Sequence, residues 1–313
     1  MAIFFGYTTA ECILNSTEAR EFSLSDETPS ICGFVDDVAL KSVDLTRFEL
    51  PPGQPLDLVV GSREKRRVRH SFKCHMSSAD LPYGAYLEIA PDVFVASPAL
   101  CLLQRCSSLT FAGRIKLAAR FCGCYAPSKA DARGFITRPP LLSVDDLLSC
   151  IELYPSMRST RQALEAVQWT LPNAASPMET EMVMPFYLPR YKGGFGFPRP
   201  IMNDPVTLTA RGRAMTGKSE VRIDAHWPDA NFGLEYQSKM FHDDDERYGQ
   251  DIGRQLALES MGKVIHMVTL EQLKNDAQLE YIAELIASHL GIEMHKSRGG
   301  KLREKLMQDI LSD

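Results

Sequence analysis

The second half of the chain has the clearest patterns of apolar and polar positions. From residue 220 to 227 every second side chain is apolar, which is the two-residue period of a β-strand. Other stretches of this half show the same two-residue period or the 3.6-residue period of a helix. One stretch is a short, continuous apolar run, which is typical of a buried strand. The predicted elements are a helix beginning at Ser176, strands at 206–210, 219–227, 231–237 and a buried one at 263–268, and helices at 244–261 and 270–290. This order of elements predicts a mixed sheet with helices packed on it.

The first half combines shorter predicted strands with several helices. Ser97 and Pro98 begin one helix, because serine caps a helix N-terminus and proline is favoured at the first helical position. The predicted strands are 56–60, 72–76 and two within 86–95, and the predicted helices are 97–103, 111–122, 144–153 and 159–169, with a polar loop at 127–138.

The length of 313 residues is enough for two domains of about 150 residues each. We expect an α/β fold, with a mixed sheet flanked by helices in the C-terminal half and a smaller α+β domain before it. The predicted segments are an α+β domain with a basic hairpin at 1–110, a helical connector at 111–170, the domain with the mixed sheet at 171–295 and a basic amphipathic helix at 296–313.

The composition is that of an ordinary soluble globular protein, with 44% apolar and 24% charged residues. The net charge of −5 gives no global attraction for nucleic acid, so any DNA contact must come from local basic patches. No apolar run approaches the roughly 18 residues of a membrane span, and no basic region precedes the apolar N-terminus. We therefore expect a cytoplasmic protein with no membrane partner.

Eight cysteines lie between Cys12 and Cys150, and they are expected to be reduced, mostly buried thiols. Four of them raise the question of zinc, but their C-x4-C and C-x-C spacings fit no zinc knuckle or ribbon. These four are Cys101, Cys106, Cys122 and Cys124.

Residues 212–219, Gly-Arg-Ala-Met-Thr-Gly-Lys-Ser, match the phosphate-binding loop pattern of nucleotide-binding proteins. That loop needs a helix after it, because the helix N-terminus supplies the amides and the dipole that hold the phosphates. The alternating residues that follow predict a strand instead. We therefore expect a flexible connection between two strands and no nucleotide binding.

Two carboxylates are predicted to face each other in the second half. Asp224 and Glu235 lie on the strands 219–227 and 231–237, which a turn sequence joins. A turn centred between Asp229 and Ala230 puts the two acids directly opposite each other, with Cβ atoms about 4.5–5.5 Å apart.

Like charges at this distance repel, so a cation between them would stabilise the pair. Oxygen ligands of this kind suit Mg²⁺ or Mn²⁺, which can activate a water for hydrolysis. The alternative is that Asp224 and Glu235 are solvated, or pair with Arg222 and Lys239.

Asp224, followed after ten residues by Glu235-Tyr236-Gln237, resembles the D…(D/E)-x-K core of PD-(D/E)XK endonucleases. The stretch from Ile223 to Gly262 is similar to the branch around very-short-patch-repair endonuclease, which includes domains fused to AbiEi-type antitoxins. The resemblance covers about residues 170–290. It implies a restriction-endonuclease-like fold for the sheet, a nuclease-like domain at 171–295, and Mg²⁺- or Mn²⁺-dependent cleavage of DNA. It implies catalytic roles for Glu179, Asp224, Glu235, Gln237 and His242, metal binding by Asp224 and Glu235, and supporting roles for Lys239, Asp251 and Arg254.

The sequence departs from this family at Gln237, where the wider fold has lysine and this branch has aspartate. A neutral amide neither stabilises a hydroxide as an ammonium does nor binds a metal as a carboxylate does. Lys239 and Lys218 are candidate substitutes. The departure puts catalytic activity in question more than the fold.

Several implied site residues have a second interpretation. Glu179 is also placed to cap the N-terminus of its own helix. His242 precedes four acidic residues and could be a surface histidine. Asp251 and Arg254 stand three residues apart on one helix and could form a surface ion pair.

Residues 56–104 resemble the middle part of AbiEi-type antitoxin proteins, in which a basic segment precedes a Val-x-Ser-Pro helix start, here Val95–Pro98. The basic segment either protects a sheet edge or contacts DNA phosphates. Its candidate DNA-binding residues are Arg63, Lys65, Arg66, Arg67 and Arg69.

Two functions therefore follow from the sequence. The first is a metal-dependent DNA endonuclease, active or catalytically degenerate. The second is a non-catalytic, DNA-binding regulator of antitoxin type. The expected partners are DNA and a protein encoded nearby, such as a toxin. No clear helix-turn-helix pattern lies in residues 1–50, which weakens the second interpretation.

Overall fold

The computed structural model consists of two compact units, residues 1–172 and 173–313. The structure describes residues 2–16, 22–24, 31, 37–77, 81–237, 245–294 and 300–312, with the backbone alone at 24, 37, 39 and 245–251. The division lies two residues beyond the predicted boundary at 170. The first unit is the larger one, so the expectation of a smaller N-terminal domain is wrong.

Within its described residues, the first unit contains a six-stranded mixed sheet and a separate two-stranded one. The strands of the large sheet are β1 (Ile3–Phe5), β2 (Ser23–Leu24), β3 (Leu56–Val60), β4 (Phe72–Met76), β5 (Tyr86–Ala90) and β6 (Val93–Ala96), and those of the small sheet are β7 (Tyr125–Pro127) and β8 (Phe135–Thr137). The order in the large sheet is β2–β5–β6–β1–β3–β4. Strand β1, which no pattern predicted, lies inside this sheet and is fully buried.

The helices of the first unit share one hydrophobic core with its sheet. They are α1 (Tyr7–Leu14), α2 (Asp37–Lys41), α3 (Pro98–Arg105), α4 (Phe111–Cys122), α5 (Val144–Glu152) and α6 (Thr160–Gln168). The last four were predicted to within two residues. Phe121, Leu147 and Val167 belong to the same core as Phe4. Residues 111–170 are therefore part of the first unit and not a connector.

The basic segment 63–70 joins two parallel strands, because β3 and β4 run in the same direction. A hairpin turn can close only an antiparallel pair. β3 and β4 therefore do not form a hairpin with each other. The basic segment crosses over between them, and its second part pairs antiparallel with β4. It returns along β4, where Arg67 O accepts a hydrogen bond from Cys74 N at 2.7 Å and Val68 forms a bridge with Lys73.

The second unit contains the predicted mixed sheet, with four strands in its described residues. Its elements are α7 (Pro177–Tyr187), β9 (Ile201–Thr207), α8 (Ala210–Thr216), β10 (Glu220–Trp227), β11 (Phe232–Tyr236), α9 (Asp245–Glu259), β12 (Val264–Val268), α10 (Leu270–Leu273), α11 (Asp276–Leu290) and α12 (Gly300–Leu311). The order is β12–β11–β10–β9. The pairs β9–β10 and β10–β11 are antiparallel, and β11–β12 is parallel.

Three predicted elements of this unit differ from the structure. The strand predicted at 206–210 lies at Ile201–Thr207. The predicted helix 270–290 is two helices, because Asn275 caps the second by accepting a hydrogen bond from Gln278 N at 3.0 Å. Strand β12 lies at the edge of the described sheet and is only partly buried, with Val268 buried and Val264 and Met267 exposed, so the prediction of a buried strand is wrong.

Helices pack on the sheet and on one another in this unit. Ala257 and Leu258 of α9 cluster with Val221 and Ile223 of β10, while the Phe232 ring of β11 stacks on His289 of α11. Helix α12 packs against α7 and therefore belongs to this unit rather than forming a separate tail. In the described part of the chain, no helix has the length and apolarity needed to cross a membrane.

Candidate active site

The register of β10 and β11 is the one predicted. Ala225 pairs with Leu234 and His226 with Gly233. One further step in this register puts Asp224 opposite Glu235. The regular pairing stops there, and the Oδ2 atom of Asp224 accepts a hydrogen bond from Tyr236 N at 2.9 Å. Asp224 therefore sits where the two strands begin to separate.

The Asp224 carboxylate is held in a poorly solvated position. Burial raises its pKa above the ordinary value, although the hydrogen bond from Tyr236 N and the charge of Arg254 act in the opposite direction. Burial disfavours the charged form of an acid, so an ionised Asp224 is costly in the free protein. This is the property expected of a carboxylate that gains from a nearby cation.

Glu235 is bound by Arg254. The Glu235 side chain is 6% exposed, and its Oε2 atom lies 2.5 Å from Nη1 of Arg254 on α9. The same guanidinium also donates a hydrogen bond to Arg222 O. Arg254 thus contacts the site directly, whereas the Asp251 side chain, its alternative partner, lies outside the described residues. Arg222, the alternative partner of the acids, is 3.7 Å from Glu220.

Glu179 lies at the start of a helix and also near Asp224. It lies in the first turn of α7, where its backbone N donates a hydrogen bond to Ser176 Oγ at 3.1 Å. Its carboxylate accepts a hydrogen bond from Ala175 N at 2.7 Å. Burial and then the charge of Asp224 raise the pKa of Glu179 to about 7. A residue at a capping position therefore also interacts with the acidic pair.

Asn203 is a site residue that no sequence pattern indicated. It lies in β9 beside Asp224, and its side-chain amide donates to Glu179 Oε2 at 2.6 Å and to Asn173 O at 2.9 Å. Its φ of 48° is in the left-handed region, which asparagine tolerates better than most residues. A prediction would have required knowing that β9 begins at Ile201.

A buried histidine network lies in the same sheet. His226 is 2% exposed, and its Nδ1 is 2.5 Å from Asp204 Oδ2. Lys263 Nζ is 3.2 Å from His226 Nε2. Because an ammonium can only donate, Nε2 is the acceptor and Nδ1 carries the proton shared with Asp204. Burial lowers the pKa of His226 against the raising effect of Asp204, and the charge of Lys263 lowers it further.

The segment that matches the phosphate-binding loop is not a loop. Helix α8 begins at Ala210 and contains Gly212, and Lys218 follows its C-terminus. The predicted flexible connection is therefore wrong, although a strand does follow, as expected. The amides of a helix N-terminus would lie on the wrong side of Lys218 to hold a phosphate beside it.

The remaining predicted site residues are only partly described. Gln237 is exposed, and its backbone N donates to Val268 O at 2.8 Å. Lys239 and His242 lie outside the described residues. Lys218, a candidate substitute for the missing lysine, is exposed after α8.

Carboxylate oxygens are the donor atoms that Asp224 and Glu235 offer at this site. Among the described residues, no group of three or more His, Cys, Asp or Glu side chains is arranged to hold a metal ion. Asp224 and Glu235 remain as a pair, which is the number of carboxylates that Mg²⁺ often takes from a protein together with water and substrate.

The cysteines of the first unit are suited to a core rather than to a metal. Cys101, Cys106 and Cys122 are buried. Burial raises the pKa of Cys106 to about 11 and that of Cys122 to about 12. Metal binding requires the thiolate, which this environment disfavours.

No protein-family model matches this sequence, and no match was found among the curated proteins or the solved structures. The function of this chain is therefore inferred from its own residues.

Proposed function

We propose that the second unit is a metal-dependent DNA endonuclease domain of PD-(D/E)XK type, with its acidic site at Glu179, Asp224 and Glu235. The observation that carries this proposal is the position of Asp224 on β10, between Glu179 at the start of helix α7 and Glu235 on the neighbouring strand β11. Asp224 faces Glu235 in the register of β10 and β11, and its charge raises the pKa of Glu179. The mixed sheet with packed helices supports the same fold.

Buried acids that repel one another are costly for a folded protein, so their grouping favours a functional role. Their oxygen donors fit a hard divalent cation. Asp224 and Glu235 would hold Mg²⁺ or Mn²⁺, and the ion would lower the pKa of a bound water and offset charge on the phosphodiester.

The residues of the chain have separate tasks in this proposal. Arg254 orients the Glu235 carboxylate through their 2.5 Å contact. Glu179, with a pKa of about 7, can take up a proton from the attacking water near neutral pH, where general bases are most effective. This compensates for Gln237, whose neutral amide cannot exchange a proton. Asn203 holds Glu179 in place with its 2.6 Å hydrogen bond.

A plasmid-nicking assay with Mn²⁺ tests this function. Supercoiled plasmid should be nicked by the wild-type protein and left intact by the Asp224→Asn variant. Asp229→Asn is the matched control, because Asp229 is exposed in the turn between the same two strands. Nicking that survives in Asp224→Asn would show that the acidic site does not cleave DNA.

A DNA-binding regulator without catalysis is the second candidate. It is favoured by Arg254, which already neutralises Glu235, and by the neutral Gln237 at the lysine position. The exposed Arg66 and Arg67 would then contact phosphates. In this case DNA should be bound without nicking. Replacing both arginines with glutamine should reduce the slope of log affinity against log salt by about two.

A further inference from the structure

A second polar cluster lies in the first unit, around the buried Asp57. Asp57 of β3 is 3% exposed, and its Oδ1 atom accepts contacts from two residues of β4. His75 Nε2 is 2.7 Å away and Lys73 Nζ is 3.0 Å away. Lys73 and His75 are two residues apart in one strand, so they lie on the same face of the sheet.

Asp57 serves as a fixed anion for this face. Burial by itself would raise its pKa, but the hydrogen bonds from His75 and Lys73 lower it below the ordinary value. Its backbone N also donates to Thr9 Oγ1 of α1 at 2.8 Å. Asp57 therefore stays charged and fixes the positions of the Lys73 ammonium and the His75 ring.

Tyr7 covers the histidine in a strained backbone conformation. Its ring stacks on the His75 ring with centroids 3.8 Å apart and planes 24° apart. The φ of Tyr7 is 50°, a value that a bulky side chain rarely adopts. Such outliers concentrate at functional sites, where the surrounding structure holds them.

Two neighbours hold Tyr7 in that conformation. The backbone N of Tyr7 donates to the Oε1 atom of Gln104, which is buried in α3, at 2.9 Å. A Cβ atom at Gly6 would lie 2.7 Å from Val59 Cγ2, so only glycine fits before the tyrosine. The chain thus uses a buried amide and a glycine to keep one aromatic ring against one imidazole.

Nitrogen groups of Lys73 and His75 lie near Tyr7 on one face of the sheet. Lys73 and His75 face one buried carboxylate, and their side chains are 45% and 24% exposed. Burial and the charge of Asp57 raise the pKa of the Tyr7 hydroxyl, and Arg66 lowers it, so Arg66 also acts at this point. Partly exposed nitrogen groups beside a tyrosine ring supply the kind of hydrogen-bond donors that a phosphate requires.

We propose that Tyr7, Lys73 and His75, oriented by Asp57, form a phosphate-binding site in the first unit. The ligand chemistry is a phosphate group, carried either by a free phosphate or monoester or by the phosphodiester backbone of nucleic acid. Arg66 brings further positive charge to the same group. This site is independent of the endonuclease proposed for the second unit, so either proposal can fail without the other.

Isothermal titration calorimetry at low salt tests the site with two probes, inorganic phosphate and a short DNA duplex. Lys73→Gln removes one charged donor and should weaken binding about tenfold or more. Lys73→Arg keeps the charge and should retain most of the affinity. Lys41→Gln is the matched control, because Lys41 is an exposed lysine of α2 in the same unit.

The probes distinguish the two sources. Binding of inorganic phosphate that is weakened by Lys73→Gln but not by Lys41→Gln indicates a free phosphate or monoester ligand. Binding of the DNA duplex that is weakened by Lys73→Gln but not by Lys41→Gln indicates the nucleic-acid backbone. In either case the ring signals of His75 in the NMR spectrum should move saturably with the ligand. If neither probe binds, or if Lys73→Gln and Lys41→Gln weaken binding equally, the site does not exist. Circular dichroism of each variant checks that it is folded.

Discussion

Replacing Glu179 with glutamine should change how the stability of the second unit depends on pH. The pKa of Glu179 is raised from 4.5 to about 7, first by burial and then by Asp224. A raised carboxyl pKa leaves stability intact below the unfolded value, near pH 4.5, and removes it as the pH rises through 7. The side chain is only 8% exposed, so solvent screens this effect little.

The shift corresponds to about 3 kcal/mol of stability lost between pH 4.5 and pH 8, at about 1.36 kcal/mol per pKa unit. Glu179→Gln keeps an oxygen that can accept the hydrogen bonds from Ala175 N and Asn203. Near pH 4.5 the variant should therefore match the wild type. At pH 8 the variant should be more stable than the wild type by up to about 3 kcal/mol. The gain is smaller if the ionised Asp224 still destabilises the variant at this pH.

Urea unfolding from pH 4.5 to 8.5 measures the difference. Trp227 is buried in the second unit, so its fluorescence in a Trp169→Phe background reports the unfolding of this unit alone. Glu304→Gln, on the exposed face of α12, is the control and should follow the wild type at every pH. If Glu179→Gln follows the wild-type pH profile as closely as the control does, then Glu179 does not titrate near neutrality.

Three further outcomes are expected. Arg254→Met should destabilise the second unit by about 3 kcal/mol in urea unfolding, because the buried Glu235 loses its ion pair. Adding Glu235→Gln to this variant should recover part of the lost stability, because it removes the unpaired charge. Mg²⁺ or Mn²⁺ should raise the stability of the wild type by about 2.7 kcal/mol at 100 times Kd. The metal-free Asp224→Asn variant should be at least as stable as the wild type and gain nothing from metal in a thermal melt. ATP should not bind, and saturable binding abolished by Lys218→Ala would contradict this expectation.

The local patterns of the sequence predicted most of the helices and strands. The alternation at 219–227 and the turn after it predicted both β10 and its register with β11, because side-chain period and turn position are local properties. Capping serines likewise marked the starts of α3 and α7. The pairing of Asp224 with Glu235 followed from these two features alone.

The sequence predicted less where an element depends on distant neighbours. Strand β1 is too short for a periodic pattern and is stabilised by β3 and β6, which follow it by 50 residues or more. The parallel pairing of β3 with β4 overrode the hairpin that their closeness in the sequence indicated. Residues 111–170 were predicted to be a connector because the sequence does not show what their apolar faces pack against. In the structure these faces pack in the core of the first unit.

The site divides in the same way. Periodicity indicated Asp224 and Glu235, and a resemblance indicated Glu179 and Arg254. The sequence by itself could not show that Arg254 binds Glu235, that Asn203 holds Glu179, or that Tyr7 stacks on His75. Each of these contacts joins residues on separate elements. A one-dimensional pattern records only the residue types and their spacing, whereas burial, charge and hydrogen bonding depend on which side chains the fold brings within a few ångströms of each other.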